Sequence, residues 1–596
     1  MKYPTILFAL LLALTLLLSA CGAQEEPQPP EDAEPEPFTL SVSLPGQADT
    51  LDPLRSTAQG TETILHHLFE NLMRWEDGGD GWAVLAPGQA ESYTVETDYA
   101  GNATYTFTLR EGLQWSDGRP IAAGDFVSAW QRIADPANDV PHRALLSPVA
   151  GYGQVQETGD ASLLAVSAPD RRTFVVSLEG SCAWFLEEVC ASPYTVPRPT
   201  DLPSDGSVTN GPYTAVQFGR AQVVLEPSET YHSPSRTAPE KLVFFTGGDV
   251  EDEYLKFQGG SRDLVLDLPA SALQELAAGG TWLPEPVTSV YGVLFNTRQA
   301  PFDDPSVRLA FRLAVDTAAV TEAIGDPRLR AASGVVPYGV TDYGAPAPEE
   351  PEEEAPSTLP DPSAPVEPEL PAPYWDFRAH SLELVTVPGE QDYTADCLQA
   401  RTLLSQAGYP NGSGFPAVEY IYVRSDAAQA AANALCALWR RELGVTVTAR
   451  GLSQEDFDAR LAAAQAQDTE AEDASGSEEE PSAEPFTLAA RDFTPSCNDA
   501  GVLLDFWRST RETNLSGYRS DAFDILLDAA RAAESPEVRD AYLHDAEAIL
   551  LQEVPVVPVY YHGGAFQLSD RLSGLYRLPD GVYFLGNVRE ESPSEG

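Results

Sequence analysis

Side chains capable of chemistry are plentiful in this chain, yet none stands in a spacing that defines a reaction. The 596 residues include 7 His, 6 Cys and 91 Asp+Glu. His66 and His67 are adjacent. Neighbours on a helix point about 100° apart, so the pair cannot easily face one metal ion and is expected on a partly buried helix face. A His-Glu-x-x-His metal helix, a Gly-x-Ser-x-Gly nucleophile elbow and a Walker phosphate loop are all missing from the sequence. Carboxylates are too numerous for a catalytic pair to be selected by spacing. The expectation is a protein without catalytic residues, metal ligands or cofactor, and not an enzyme.

The cysteines divide into one near the start and five in the body. Cys182, Cys190, Cys397, Cys436 and Cys497 form an odd set, which is no disulfide scaffold. "SCAWFLEEVC" reads as a helix, on which Cys182 and Cys190 would lie roughly 12 Å apart. A disulfide needs Cα atoms within about 7 Å, so these two are expected to fill core. Cys21 is different. Lys2 supplies a positive start, residues 6–20 are mostly apolar, and Ser19-Ala20 precede the cysteine. That is the pattern of a secretory signal over residues 1–20. The run is too short, and its far flank too polar, to make a good spanning helix. "LSAC" followed by Gly resembles the lipobox of bacterial lipoproteins, which implies that Cys21 carries lipid and becomes the mature N-terminus. Residues 21–37 are acidic and proline-rich, an extended tether with a reach on the order of 50 Å.

The elements that must position any site lie beyond the tether. The 36 Lys+Arg against 91 Asp+Glu give a formal charge of −55, which argues against nucleic acid as a partner. Hydrophobic residues make up 43%, enough for large cores, and the length allows two to four domains. Two further acidic, Pro-rich stretches, residues 344–373 and 467–485, lack the apolar residues that offset chain ordering and are expected to be disordered surface insertions. Between them, "FTLSVSL" (38–44), "TYTFTL" (104–109) and "TFVVSL" (173–178) have strand patterning. Residues 307–324 and 539–553 have apolar positions at helical spacing, and "ALCALWRRELGVTVTARG" reads as a helix stopped near Gly444 and then a strand. In "WSDG", Asp117-Gly118 suit a tight turn. Gly124-Asp125 can start the next helix, with Phe126, Val127 and Trp130 on its buried face. Strands and helices interspersed in this way indicate an α/β protein.

A series of motifs carries a resemblance. "ADTLDPLRS" (48–56) leads into "ILHHLFENLMRW"; "GLQWSDGRPIAAGDFVSAWQRIADP" (112–136) and "NGPYTAVQF" (210–218) follow. Then come "YGVLFNTRQAPFDDPSVRLAFRLAVD" (291–316), "ARTLLSQAGYPNG" (400–412), "YRSDAFDILLDAA" (518–530) and "VPVVPVYY" (554–561). In this order they resemble family 5 of the bacterial extracellular solute-binding proteins, the oligopeptide-binding components of ABC importers. The likeness runs from residue 38 to 588 except for the two acidic insertions. It implies two lobes joined by a hinge, with an extra small domain (cluster C type). The lobe I parts would be 38–71, 197–288 and 558–596, the extra domain 72–196, and lobe II 289–557.

The resemblance further implies a ligand enclosed between the lobes by hinge closure. Its contacts would come from Ser56, Thr57, Ala58 and Gln59 on one side and from residues 493–499 on the other, chiefly Phe493, Ser496, Cys497 and Asp499. Relatives place an aspartate there to pair with a peptide amine, a charge-assisted bond. Here that position is Ser496, which carries no charge, so either Asp492 or Asp499 supplies the carboxylate or the ligand has no free amine at that position. The implied protein is a lipid-anchored monomer on the outer face of the cytoplasmic membrane. It captures a peptide-like solute and delivers it to an ABC permease with its ATPase. A peptide-signal receptor of the same fold, a binder of another small solute and an extracellular hydrolase are the competing readings.

Overall fold

The computed structural model describes residues 38–591 except 57–58, 79–82, 100–101, 181, 183, 280–284, 338–339, 341–392, 473–482, 496–497, 512, 534 and 579–580. Cys21, the signal segment, the tether and the 344–373 insertion lie outside the described residues, as does most of 467–485. The helix Gln454–Glu472 runs into the first residues of that second stretch.

Two six-stranded sheets organise the chain. The first has the strand order Gln567–Leu568, Leu264–Val265, Thr39–Leu44, Lys241–Thr246, Gln222–Pro227, Tyr213–Gly219. Thr39–Leu44 runs parallel to both of its neighbours. The second has the order Arg330–Ala331, Val556–Gly564, Glu285–Phe295, Leu488–Phe493, Val418–Val423, Val447–Leu452. Parallel strands need a crossover, and the helix Asp426–Leu443 supplies it between Val418–Val423 and Val447–Leu452. Gly444 ends that helix in the left-handed conformation, at φ 72°. This second sheet buries both faces. Val290, Leu294 and Ala489 enter one core and Val293, Phe295 and Leu488 the other, which is why its strands read as near-continuous apolar runs. The chain passes from the first sheet to the second between Leu264–Val265 and Glu285–Phe295. It returns through Ala565 and Phe566 alone, between Val556–Gly564 and Gln567–Leu568. The result is a two-lobed α/β protein.

A smaller four-stranded sheet, in the order Ala90–Thr97, Ala103–Leu109, Thr173–Ser177, Val166–Ser167, carries the helix Ala123–Ala134. Asp125 accepts from the Ala122 amide at 2.8 Å, fixing the start of the helix. Phe126 and Trp130 are fully buried, whereas Val127, expected beside them, is only half-buried.

Three local expectations are corrected. The apolar period over 307–324 continues across a break: Pro305–Leu313 and Thr317–Ile324 are separate helices, because Asp316 caps the second by accepting from Ala319 at 3.0 Å. Among the described residues of "SCAWFLEEVC" the only helical element is the short π turn Phe185–Val189, and Cys182 and Cys190 are both free thiols. His67 is wholly rather than partly buried. Its Nδ1 donates to Thr63 O at 2.6 Å and its Nε2 accepts from Leu585 N at 2.9 Å, tying the helix Gln59–Leu68 to the C-terminal segment. Burial drives the His67 pKa down to about 3. The folded state thus excludes a proton that the unfolded chain takes up below about 6.5, and His67's contribution is lost as pH falls from there towards 3. Each pH unit in that window costs about 1.4 kcal/mol, or about 2 kcal/mol between pH 6.5 and 5. Urea unfolding at pH 7 and pH 5 should show this extra loss in wild type and not in His67→Gln. Equal losses in both proteins would contradict it.

Candidate functional site

A cavity of about 1020 Å³ separates residues 141–148 and 179–187, beside the four-stranded sheet, from residues 494–513 and 527–543 of the second lobe. That is the upper end of the range for small-molecule sites.

On the first wall, His142 stacks on Tyr194 with centroids 3.7 Å apart. Its Nε2 donates to the Ser56 carbonyl at 2.9 Å, and burial lowers its pKa, so a neutral ring fixes this contact. Cys182 also lines the cavity. Burial, reinforced by the charge of Asp499, raises its thiol well out of the reactive range.

The second wall follows the strand Leu488–Phe493 into the helix Ala500–Leu504 and then the paired helices Asp521–Arg531 and Pro536–Glu553. Asp499 caps the first of these by accepting from Val502 N at 3.0 Å, and it pairs with Arg539 at 2.7 Å. Arg539 Nη1 also lies 3.5 Å from Asp540. Asp505 receives Nε of Arg508 at 2.6 Å and Nε of Arg511 at 2.5 Å, with Arg531 Nη2 at 4.0 Å. Asn498 Oδ1 is a buried acceptor with no hydrogen-bond partner among the described residues. A buried acceptor left open in a cavity wall suits a ligand donor.

The residues named from sequence separate into different places. Asp499 lines the cavity. Asp492 lies exposed at the strand end, paired with His562 Nε2 at 2.7 Å. Phe493 is 2% exposed and packs on Trp507 at 4.6 Å, inside the second-lobe core. Ser56 is completely buried, with its Oγ 3.2 Å from Asp49, and reaches the cavity wall only through the His142 contact. The backbone of Gln59 opens the helix Gln59–Leu68. Thr57, Ala58, Ser496 and Cys497 lie outside the described residues. Sequence reasoning missed His142, Asn498 and the arginines 508, 511, 531 and 539. The concentration of arginine over residues 508–539, in a chain so rich in acid, was the one available signal.

Residues 84–504 match the family model described as bacterial extracellular solute-binding proteins, family 5 middle. The chain is 26% identical over 560 residues to the probable deoxycholate-binding periplasmic protein YgiS of Escherichia coli, covering 90% of each. It is 23% identical over 606 residues to the oligopeptide-binding protein OppA of Bacillus subtilis, covering 98% of this chain and 99% of the relative. The periplasmic murein tripeptide-binding protein MppA, in its unliganded open form, superposes with a TM-score of 0.69 at 22% identity, covering 93% of this chain and 98% of that one.

Proposed function

Since this chain belongs to family 5 of the bacterial extracellular solute-binding proteins, we propose that it captures a peptide-like solute in the cavity between residues 141–187 and 494–543. In this reading the solute is handed to an ABC permease and its ATPase, and the chain binds without turnover. The observation that carries the reading is the cavity itself: about 1020 Å³, with charged groups and an open buried acceptor on its wall. An extended peptide suits such a site, because main-chain groups supply affinity whatever the side chains. Asp499 is the carboxylate we assign to the peptide amine, since it lines the cavity and Asp492 does not.

Titration calorimetry should show a pool of short unmodified peptides binding, with N-acetylation weakening binding by about 1.5–3 kcal/mol, the scale of a charged hydrogen bond. The names of relatives mark the alternatives: deoxycholate for YgiS, and haem for heme-binding protein A of Haemophilus influenzae. Binding of either compound with none of the peptides would replace the peptide assignment and keep the solute-binding one.

We further propose that Cys21 anchors the protein by lipid to the outer face of the cytoplasmic membrane, as a monomer. Among the described residues no helix is long and apolar enough to cross a membrane. Cys21→Ala should therefore move the protein from the membrane fraction to the soluble one, or leave it unprocessed. Retention in the membrane with an unmodified Cys21 in wild type would contradict the anchor.

A further inference from the structure

Side chains as well as backbone span the junction between the two large sheets. Glu285 and Gly564 are strand partners where both chain crossings leave the second sheet. Glu285 accepts from Tyr583 Oη, with Arg577 Nε at 3.6 Å. Tyr583 precedes Phe584, whose ring stacks on His67 in the first lobe. A second contact crosses the same junction. Asp267 follows the strand Leu264–Val265 and is carried by the first lobe, where Leu268, Ala272 and Leu273 pack with Val265. Arg328 precedes the strand Arg330–Ala331, which pairs with Val556–Gly564 in the second sheet. Arg328 Nη1 lies 3.1 Å from Asp267 Oδ1, an ion pair between the lobes.

Both partners are fixed in place by their own lobes. Asp326 holds Nε and Nη2 of Arg328 at 3.1 and 2.9 Å, and accepts from the Arg328 amide at 2.9 Å. Burial opposes the charge on Asp326, but the Arg328 hydrogen bonds outweigh it and keep its pKa below the ordinary carboxylate range. Nη1 is then the arm of the fork that serves the first lobe. Asp267 Oδ1 is positioned by accepting from Leu268 N at 2.9 Å. The lobes also meet at the cavity, where a Cβ built on Gly180 would sit 3.8 Å from Arg531 Cδ, in van der Waals contact. A hydrogen bond between charged groups holds only to about 3.2 Å, so a rotation of one lobe on the other disrupts it.

We propose that Arg328 and Asp267 form a clip across the hinge, made when the cavity walls meet and broken when they part. The clip favours the approached arrangement before any solute enters, so the solute has less closure left to drive. Salt screens exposed ion pairs, and the clip therefore makes closure respond to the ionic strength outside the cell. This inference needs the two lobes and not the identity of the solute.

The test uses the full chain, freed of carried solute by unfolding and refolding, with no ligand added. Donor and acceptor dyes are attached to non-natural residues at the exposed positions Leu163 and Ile525, on either side of the cavity. Single-molecule energy transfer then gives the ratio of approached to separated molecules. Raising NaCl from about 50 to about 500 mM should lower this ratio about 2- to 5-fold in wild type, the range for an exposed ion pair. Asp267→Asn, which keeps an acceptor for Leu268 N, should show the lower ratio already at the lower salt and lose most of the salt response. Arg328→Gln should do the same, and the double variant should go no lower than either single one. The two side chains are 31% and 34% exposed, so thermal unfolding should match wild type. If Arg328→Gln melts early, Arg328→Lys replaces it and should give an intermediate ratio. An unchanged ratio in Asp267→Asn, or the same salt response as wild type, overturns the clip. A ratio that rises in Asp267→Asn overturns it as well, because the pair then holds the lobes apart. The peptide reading stands under each of these outcomes.

Discussion

Trp130→Ala should lower stability by about 3–5 kcal/mol, the usual loss for truncating a fully buried tryptophan. Trp130 is 0% exposed, and its ring meets Phe174 and Phe185 edge-on at 5.1 and 6.2 Å. Its Nε1 donates to Thr195 O at 2.8 Å, a carbonyl that would be left without this donor. Through these contacts the helix Ala123–Ala134 is fastened to the strand Thr173–Ser177 and to the turn Phe185–Val189, beside the first wall of the cavity. Urea unfolding measures the loss, and Trp130→Phe, which keeps most of the packing, should lose less. Folded Trp130→Ala at low temperature should bind ligand with nearly wild-type affinity, since the indole is a support and not a contact. A loss under about 1 kcal/mol, or a selective loss of binding, would contradict this.

Glu70→Leu should be comparably damaging, because it strands a buried cation. The Glu70 side chain is 3% exposed and accepts from Tyr231 Oη and His232 Nε2, with Arg74 at 3.5 Å and Arg236 at 3.6 Å. Burial opposes its ionisation, yet the His232 bond and the neighbouring arginine hold its pKa below the ordinary carboxylate range. The stability it contributes is thus present above its unfolded pKa near 4.5 and is lost as pH falls through the lower folded value. Arg236 also donates to Trp75 O at 2.7 Å and Tyr576 Oη at 2.9 Å, and lies over the Phe584 ring at 4.3 Å. One cluster therefore joins the segment after the first helix, residues 231–236 and the C-terminal strands. Removing one partner of a buried pair costs about 3–5 kcal/mol, while replacing both with apolar residues is often nearly neutral. The double variant Glu70→Leu, Arg236→Met should therefore be more stable than Glu70→Leu alone. If the two single losses simply add, the coupling is absent.

Much of this fold is legible in local sequence patterning. The strands at 39–44, 103–109 and 173–177 follow their alternation, and Gly444 stops its helix as a glycine in the left-handed region should. Where the patterning misleads, the cause is a choice that period alone does not contain. The break before Thr317 depends on one capping carboxylate, Asp316, inside an unbroken apolar repeat. Burial of His67 depends on Leu585, 518 positions away. Phe493 sits in the motif of the expected contact loop, but strand alternation turns it into the core and leaves Asp492 outside. The arginine wall is harder still to read. Arg508 and Arg511 follow one short turn and Arg531 ends a helix; only the fold brings all three to Asp505.

The central claim is that the cavity between residues 141–187 and 494–543 holds a small solute. Native mass spectrometry of the protein purified from its own cells without denaturation tests this most directly, with the released ligand identified after acid treatment. The account predicts stoichiometric adducts of a few hundred daltons that fragment as short peptides. A protein that carries no adduct, and that takes up no peptide when a pool is added, would contradict the claim.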